Sequence, residues 1–141
     1  MSHMVKGTTN FSEDNKDIFI EALKEAYPGC EIQLDTQMSN RGRPMCDIVV
    51  NRKRGGQLGF RKNSEGNYDC HTYEGGYGDG QEAVQKALRP VYEPYVKGVA
   101  KNMMKRNPNL RNYRMGKTTE VDRKGKKMKR VRLSMQGGGG Y

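Results

Sequence analysis

The sequence has no tryptophan and only three phenylalanines, and apolar residues make up 33% of its 141 positions. A chain of that length folds as one domain, and so lean an apolar fraction supports a modest core, not a large enzyme with a deep cleft. No run of about 18 apolar residues occurs, which argues against a membrane-spanning helix, and the first residues lack the apolar stretch of a secretory signal. These absences read as a soluble protein of the cytoplasm with no membrane partner. Cysteine is also sparse. Cys30, Cys46 and Cys70 are odd in number and show no CxxC spacing, which argues against a disulfide framework and fits buried thiols in a reducing compartment.

Catalytic signatures are missing too. The glycine-rich Gly75 to Gly80 is followed by Gln81, whereas a phosphate-cradling loop needs Lys and then Ser or Thr after its last glycine. Cys46, Cys70 and His71 are zinc-ligand types, but their spacing fits no zinc module. Neighbours such as Cys70 and His71 also point to opposite faces of a strand, which argues against joint ligation and against a Cys–His nucleophile and base. Asp69, Glu74 and Asp79 read as turn and cap residues in place of an acid–base pair. No enzyme activity, cofactor or metal is expected.

What the chain has in excess is positive charge, and it is unevenly placed. The net charge is +10. From Lys97 onward there are 14 Lys and Arg against Glu120 and Asp122 alone, a surplus of +12, while the first 96 residues hold 12 basic and 14 acidic residues, a balance of −2. A field that one-sided favours a polyanionic partner.

The periodicities give the fold. Met4 to Thr9 fits a first strand, unless Met1 to Met4 is a cloning remnant. Ser12, followed by Glu13, Asp14 and Asp17, starts a short helix whose Ile18, Phe19, Ala22, Leu23 and Ala26 share one face, and Tyr27-Pro28-Gly29 ends it. Cys30 to Leu34 alternates as a strand, and Asp35 to Pro44 reads as an exposed loop. Met45 to Val50 is the most apolar run and reads as a central strand, followed by the basic turn Asn51 to Gly56, which carries Arg52, Lys53 and Arg54. Leu58 and Phe60, then Tyr68, Cys70 and Thr72, present one face each across a turn where Gly66 supplies a positive φ.

Asp79 is placed to cap a long helix from about Gln81 to Lys105. Val84, Leu88, Val91, Tyr95, Val99 and Met103 form its apolar stripe, and Pro90 and Pro94 predict a kink or break between Arg89 and Glu93. Tyr113, Met115, Thr119 and Val121 fit one face of a strand, Asp122 to Gly125 a turn, and Val131, Leu133 and Met135 one face of a returning strand. The expected architecture is α+β: one domain over residues 1–136, with an antiparallel-rich sheet of about five to seven strands packed by two helices. A basic C-terminal β-hairpin and a glycine tail, residues 137–141, complete it.

The segments Met1-Ser2-His3, Leu58-Gly59-Phe60-Arg61, Gly66-Asn67-Tyr68 and Tyr73-Glu74-Gly75-Gly76-Tyr77-Gly78-Asp79, with Tyr92 and Tyr95 on the long helix and the C-terminal hairpin, resemble one known family. It is that of hypothetical chloroplast reading frame thirty-five, small plastid and cyanobacterial domains of unknown function. The resemblance implies a native Met1 to Met4 and, for a plastid member, a stromal location. It transfers no catalytic residue. This chain departs from the family pattern in its basic last third and its glycine tail.

Two functions fit these features. The first is non-catalytic binding of nucleic acid, RNA or DNA, through phosphate contacts. Its site would comprise Arg111, Arg114, Lys117, Arg123, Lys124, Lys126, Lys127, Lys129, Arg130 and Arg132 of the hairpin region, together with Arg52, Lys53 and Arg54. The second is an accessory or assembly protein that docks on an acidic protein complex by a sheet edge or the glycine tail, without nucleic acid.

Overall fold

The structure is a computed structural model. It describes the backbone of residues 3–39, 44–74, 80–107, 109, 113–123 and 126–135, and the side chains of residues 4–39, 44–73, 80–107 and 109.

The β4–β5 hairpin anchors the sheet, with β4 at Gln57–Lys62 and β5 at Asn67–Glu74. Its turn closes on Asn63, whose Oδ1 accepts from the backbone N–H groups of Glu65 and Asn67, and Gly66 takes a φ of +83°. A residue without Cβ reaches that conformation at little cost. Leu58, Phe60, Tyr68, Cys70 and Thr72 are all buried, as their alternation predicts.

β1 (His3–Ser12) pairs antiparallel with β5, and β2 (Glu31–Gln37) and β3 (Met45–Asn51) continue the sheet on the other side. The order is β1-β5-β4-β3-β2, antiparallel throughout. The apolar β3 is therefore internal but not central. α1 (Lys16–Ala26) carries the chain from one edge of the sheet to the other, and α2 (Gly80–Arg106) follows β5. Ser12 accepts from the N–H of Asp14 at 3.1 Å and opens the turn that leads into α1.

Both helices pack on one sheet face. Phe19, Ala22 and Leu23 of α1 and Val84, Leu88, Val91 and Tyr95 of α2 meet Phe11, Ile48, Val50, Leu58, Phe60, Tyr68 and Cys70 in a single buried cluster. The few aromatics are concentrated there: Phe19 lies 4.5 Å from Phe11, 4.9 Å from Phe60 and 5.4 Å from Tyr68, between ring centres. Edge-to-face and offset contacts at such distances add to the area the rings bury. On the other face Met38 folds back over the sheet with Cys46 and Val49, and Met4 and Tyr73 pack beside them.

Three features depart from the sequence reading. β2 runs on to Gln37, although Asp35 to Pro44 reads as loop; pairing with β3 resumes at Thr36 and Gln37 after Asp35, which takes a φ of +50°. The apolar partner strand overrides local turn preference. Of the kink or break expected near Arg89 to Glu93, the break does not occur: α2 is one helix with Pro90 and Pro94 inside it. A proline disturbs the carbonyls of the preceding turn, and there the hydroxyl of Tyr27 donates to the carbonyl of Ala87. The glycines Gly75, Gly76, Gly78 and Gly80 read as excluding regular structure, yet Gly80 is the first residue of α2; the rest of that run and the expected cap Asp79 lie outside the described residues. The buried stripe of α2 ends at Ala100, and Met103 is exposed.

β6 (Tyr113–Arg123) and β7 (Lys126–Met135) form a separate antiparallel two-stranded sheet. The tail from residue 137 lies outside the described residues.

Candidate nucleic-acid interface

The basic turn between β3 and β4 divides its three cations between two roles. Arg52 is turned inward. Its Nε donates to the carbonyl of Gly56 at 3.0 Å, Nη2 donates to that of Gly55, and Nη1 reaches the hydroxyl of Tyr27 at 3.5 Å. The guanidinium also sits 5.2 Å from the centre of the Tyr27 ring. A planar fork of donors suits this closure of a turn against an aromatic face, which an ammonium could not copy. Lys53 and Arg54 are exposed. Arg52 thus holds the turn while its neighbours face solvent.

Four other cations have carboxylate neighbours. Lys97 lies 3.0 Å from Glu93, Lys62 3.2 Å from Glu13, Lys24 3.4 Å from Glu21 and Lys6 3.8 Å from Asp69. These pairs are largely exposed, so each contributes little stability, but together they flatten the field of the body. The groove between α1 and α2 repeats the pattern, with Asp17, Glu21 and Glu25 on one wall and Lys97 and Lys101 on the other. The last turn of α2 carries Lys105 and Arg106, both exposed, and Arg106 lies by Asp17 and Ile18 near the start of α1.

Arg52 and Tyr27 stand just past the other end of α1. α2 runs alongside α1, so Lys97 lies by Glu25 and Ala26 at this end of α1, whereas Arg106 lies by the other end, about 16 Å away for an 11-residue helix at 1.5 Å per residue. Lys101, Lys105 and Arg106 extend the basic region backwards into α2, and the charge count from Lys97 onward is the sequence signal for them.

For the C-terminal strand pair the backbone register is informative. Glu120 stands opposite Lys129 and Asp122 opposite Lys127, while Arg123 is opposite Lys126, Arg130 opposite Thr119 and Arg114 opposite Ser134. The register shifts between Met115 and Thr118, as an extra residue in one strand produces. Thr119 and Val121 therefore pair with Arg130 and Met128, out of step with Tyr113 and Met115, which pair with Met135 and Leu133. Arg111 and Lys124, and the side chains of Arg114, Lys117, Arg123, Lys126, Lys127, Lys129, Arg130 and Arg132, lie outside the described residues.

The residues weighed for chemistry sit in ordinary structural settings. Cys70 is fully buried beneath the helices, and burial pushes its thiol far up. Burial likewise raises Cys46 to about 11. His71 follows Cys70 on the strand and pairs in register with Lys6 and Gly59, away from the helices; burial lowers its pKa, and the charge of Lys6 lowers it further. Among the described residues no group of three or more His, Cys, Asp or Glu side chains is placed to hold a metal ion, and no helix is long and apolar enough to cross a membrane.

Comparison with family models, with curated proteins and with solved structures gives no match.

Proposed function

We propose that this chain is a non-catalytic nucleic-acid-binding protein that holds phosphates along its basic C-terminal third. The observation that carries the reading is the contrast in charge: a surplus of +12 from Lys97 onward, joined to a body of 96 residues whose balance is −2. In the strand register the two acids of that third, already subtracted in the surplus, stand opposite Lys129 and Lys127. Lys53 and Arg54 form a smaller outlying patch. Arg52 serves the turn.

The test is fluorescence anisotropy of labelled single-stranded RNA, single-stranded DNA and duplex DNA against rising salt. With about five phosphate contacts the logarithm of affinity falls with a slope of roughly −4 to −5, a loss of about 500-fold between 50 and 200 mM salt. Replacing Lys124, Lys126, Lys127, Lys129 and Arg130 by Gln abolishes binding at physiological salt. Retention of binding by that variant rejects the proposal. A pull-down that survives nuclease but weakens when residues 137–141 are deleted would assign the basic region to an acidic protein partner instead.

A further inference from the structure

The ribbon formed by β6 and β7 has two unlike faces. The register shift lies in β6, where the step from Met115 to Thr118 matches the shorter step from Leu133 to Val131. β7 therefore alternates without interruption: Lys127, Lys129, Val131, Leu133 and Met135 fall on one face, and Lys126, Met128, Arg130, Arg132 and Ser134 on the other. Residues directly opposite in an antiparallel pair share a face, so β6 sorts by its partners. Tyr113, Met115, Thr118, Glu120 and Asp122 join the first face, and Arg114, Thr119, Val121 and Arg123 the second.

This arrangement separates the charges. On the first face Glu120 stands opposite Lys129 and Asp122 opposite Lys127, so the charges balance there. The second face carries Arg114, Arg123, Lys126, Arg130 and Arg132, and neither acid of the ribbon falls on it. Plain alternation from Tyr113 would have put Glu120 and Asp122 among those cations; the extra residue in β6 moves both off that face.

We infer that the acid-free face of this ribbon enters the major groove of duplex DNA. The inference rests on the reading of the chain as a nucleic-acid-binding protein, and it names the surface and the ligand. α2 lies against both strands of the ribbon. Covering the face that holds Tyr113, Met115, Val131, Leu133 and Met135 is favourable for a helix, whereas burying five cations without counter-charges is not, which leaves the cationic face outward. Three features then choose the ligand. Single strands are held by bases stacked on aromatic rings, and Tyr113, the one aromatic residue between positions 113 and 135, falls on the first face. All four arginines of the ribbon fall on the second face, and a guanidinium fork makes two-point contacts with phosphate oxygens and with O6 and N7 of guanine. The major groove of B-form DNA, about 12 Å wide, admits a two-stranded ribbon; that of an A-form RNA duplex is too narrow to be read.

The test titrates the full chain, by anisotropy, against a labelled DNA duplex of about 20 base pairs, the RNA duplex of the same sequence and the DNA single strand, over a range of salt. Two double variants are matched: Arg130→Gln with Arg132→Gln, and Lys127→Gln with Lys129→Gln, each removing two cations from β7 at alternate positions. The DNA duplex should bind at least about tenfold tighter than the other two ligands. The arginine pair should lose about 30-fold or more of that affinity and lower the salt slope by about 2, and the lysine pair should change it less than about threefold. Footprinting of the native chain gives an answer that does not depend on how the variants fold: the DNA duplex should shield Arg130 and Arg132 from phenylglyoxal and leave Lys127 and Lys129 open to acetylation. Equal losses in the two double variants, equal shielding of the two faces, or equal or tighter binding of the RNA duplex or the single strand would each overturn the inference, while leaving the chain a nucleic-acid-binding protein. Binding of none of the three ligands would overturn both readings.

Discussion

The guanidinium of Arg52 lies over the ring of Tyr27, 5.2 Å from its centre, and reaches the hydroxyl of the same residue. That hydroxyl donates in turn to the carbonyl of Ala87. A turn between two strands, the end of α1 and the proline-bearing stretch of α2 are joined through one aromatic side chain. Basic residues adjacent in sequence can therefore differ completely in role.

Arg52→Ala should lower stability by about 1–2 kcal/mol, since it removes hydrogen bonds from a charged donor and a cation–π contact in a partly exposed setting. Arg52→Lys should recover little of this. Lys53→Gln and Arg54→Gln should leave stability within about 0.5 kcal/mol of the native chain. Urea denaturation of the four variants checks the ordering.

Gly98 sets the approach of the two helices. A Cβ there would stand 2.6 Å from Cγ2 of Ile18. Alanine gains about 1 kcal/mol of helix propensity over glycine, whereas overpacking costs about 1–3 kcal/mol. Gly98→Ala should therefore be neutral to destabilising despite its propensity, and Gly98→Leu destabilising by at least 2 kcal/mol on that scale. Thermal unfolding of both variants would decide whether the contact or the propensity dominates.

The lowered pKa of His71 ties stability to pH. Above the ordinary value of 6.5 both folded and unfolded chains hold the ring neutral. As pH falls below it, the unfolded chain takes up the proton first, so stability declines until the folded ring also protonates. Near pH 5.5, His71→Gln should lose less stability than the native chain relative to pH 7.5, as compared by denaturant midpoints. Equal losses would exclude His71 as the source.

Native thiol reactivity should be graded. Burial raises the pKa of all three thiols, but Cys30 is partly exposed whereas Cys46 and Cys70 are buried, so access sets the grading. The thiolate is the reactive form. A chromogenic disulfide reagent at neutral pH should titrate about one thiol quickly in the folded protein and all three cysteines after denaturation.

Much of the local structure was legible in the sequence because it depends on near neighbours. The alternation of Leu58 and Phe60 and of Tyr68, Cys70 and Thr72 marks a buried face, Gly66 marks the turn, and the spacing of Val84, Leu88, Val91 and Tyr95 marks the helix stripe. The charge asymmetry was legible for a simpler reason: it is a count along the chain. Less legible was the division of labour within Arg52 to Arg54, since a run of cations gives no sign of which one an aromatic ring across the fold will hold.

By itself the sequence determined the kinds of elements and their apolar faces, because backbone preference and residue periodicity act within a few positions. The tertiary structure alone decided that β1 lies beside β5, that β2 continues past Asp35, that α2 is one helix across two prolines and that Arg52 is held by Tyr27. Several of these outcomes involve partners far apart in the chain, such as Cys70 for Gly7 and Tyr27 for Arg52. Such contacts carry energies comparable to local propensities, so they override them wherever packing brings the partners together.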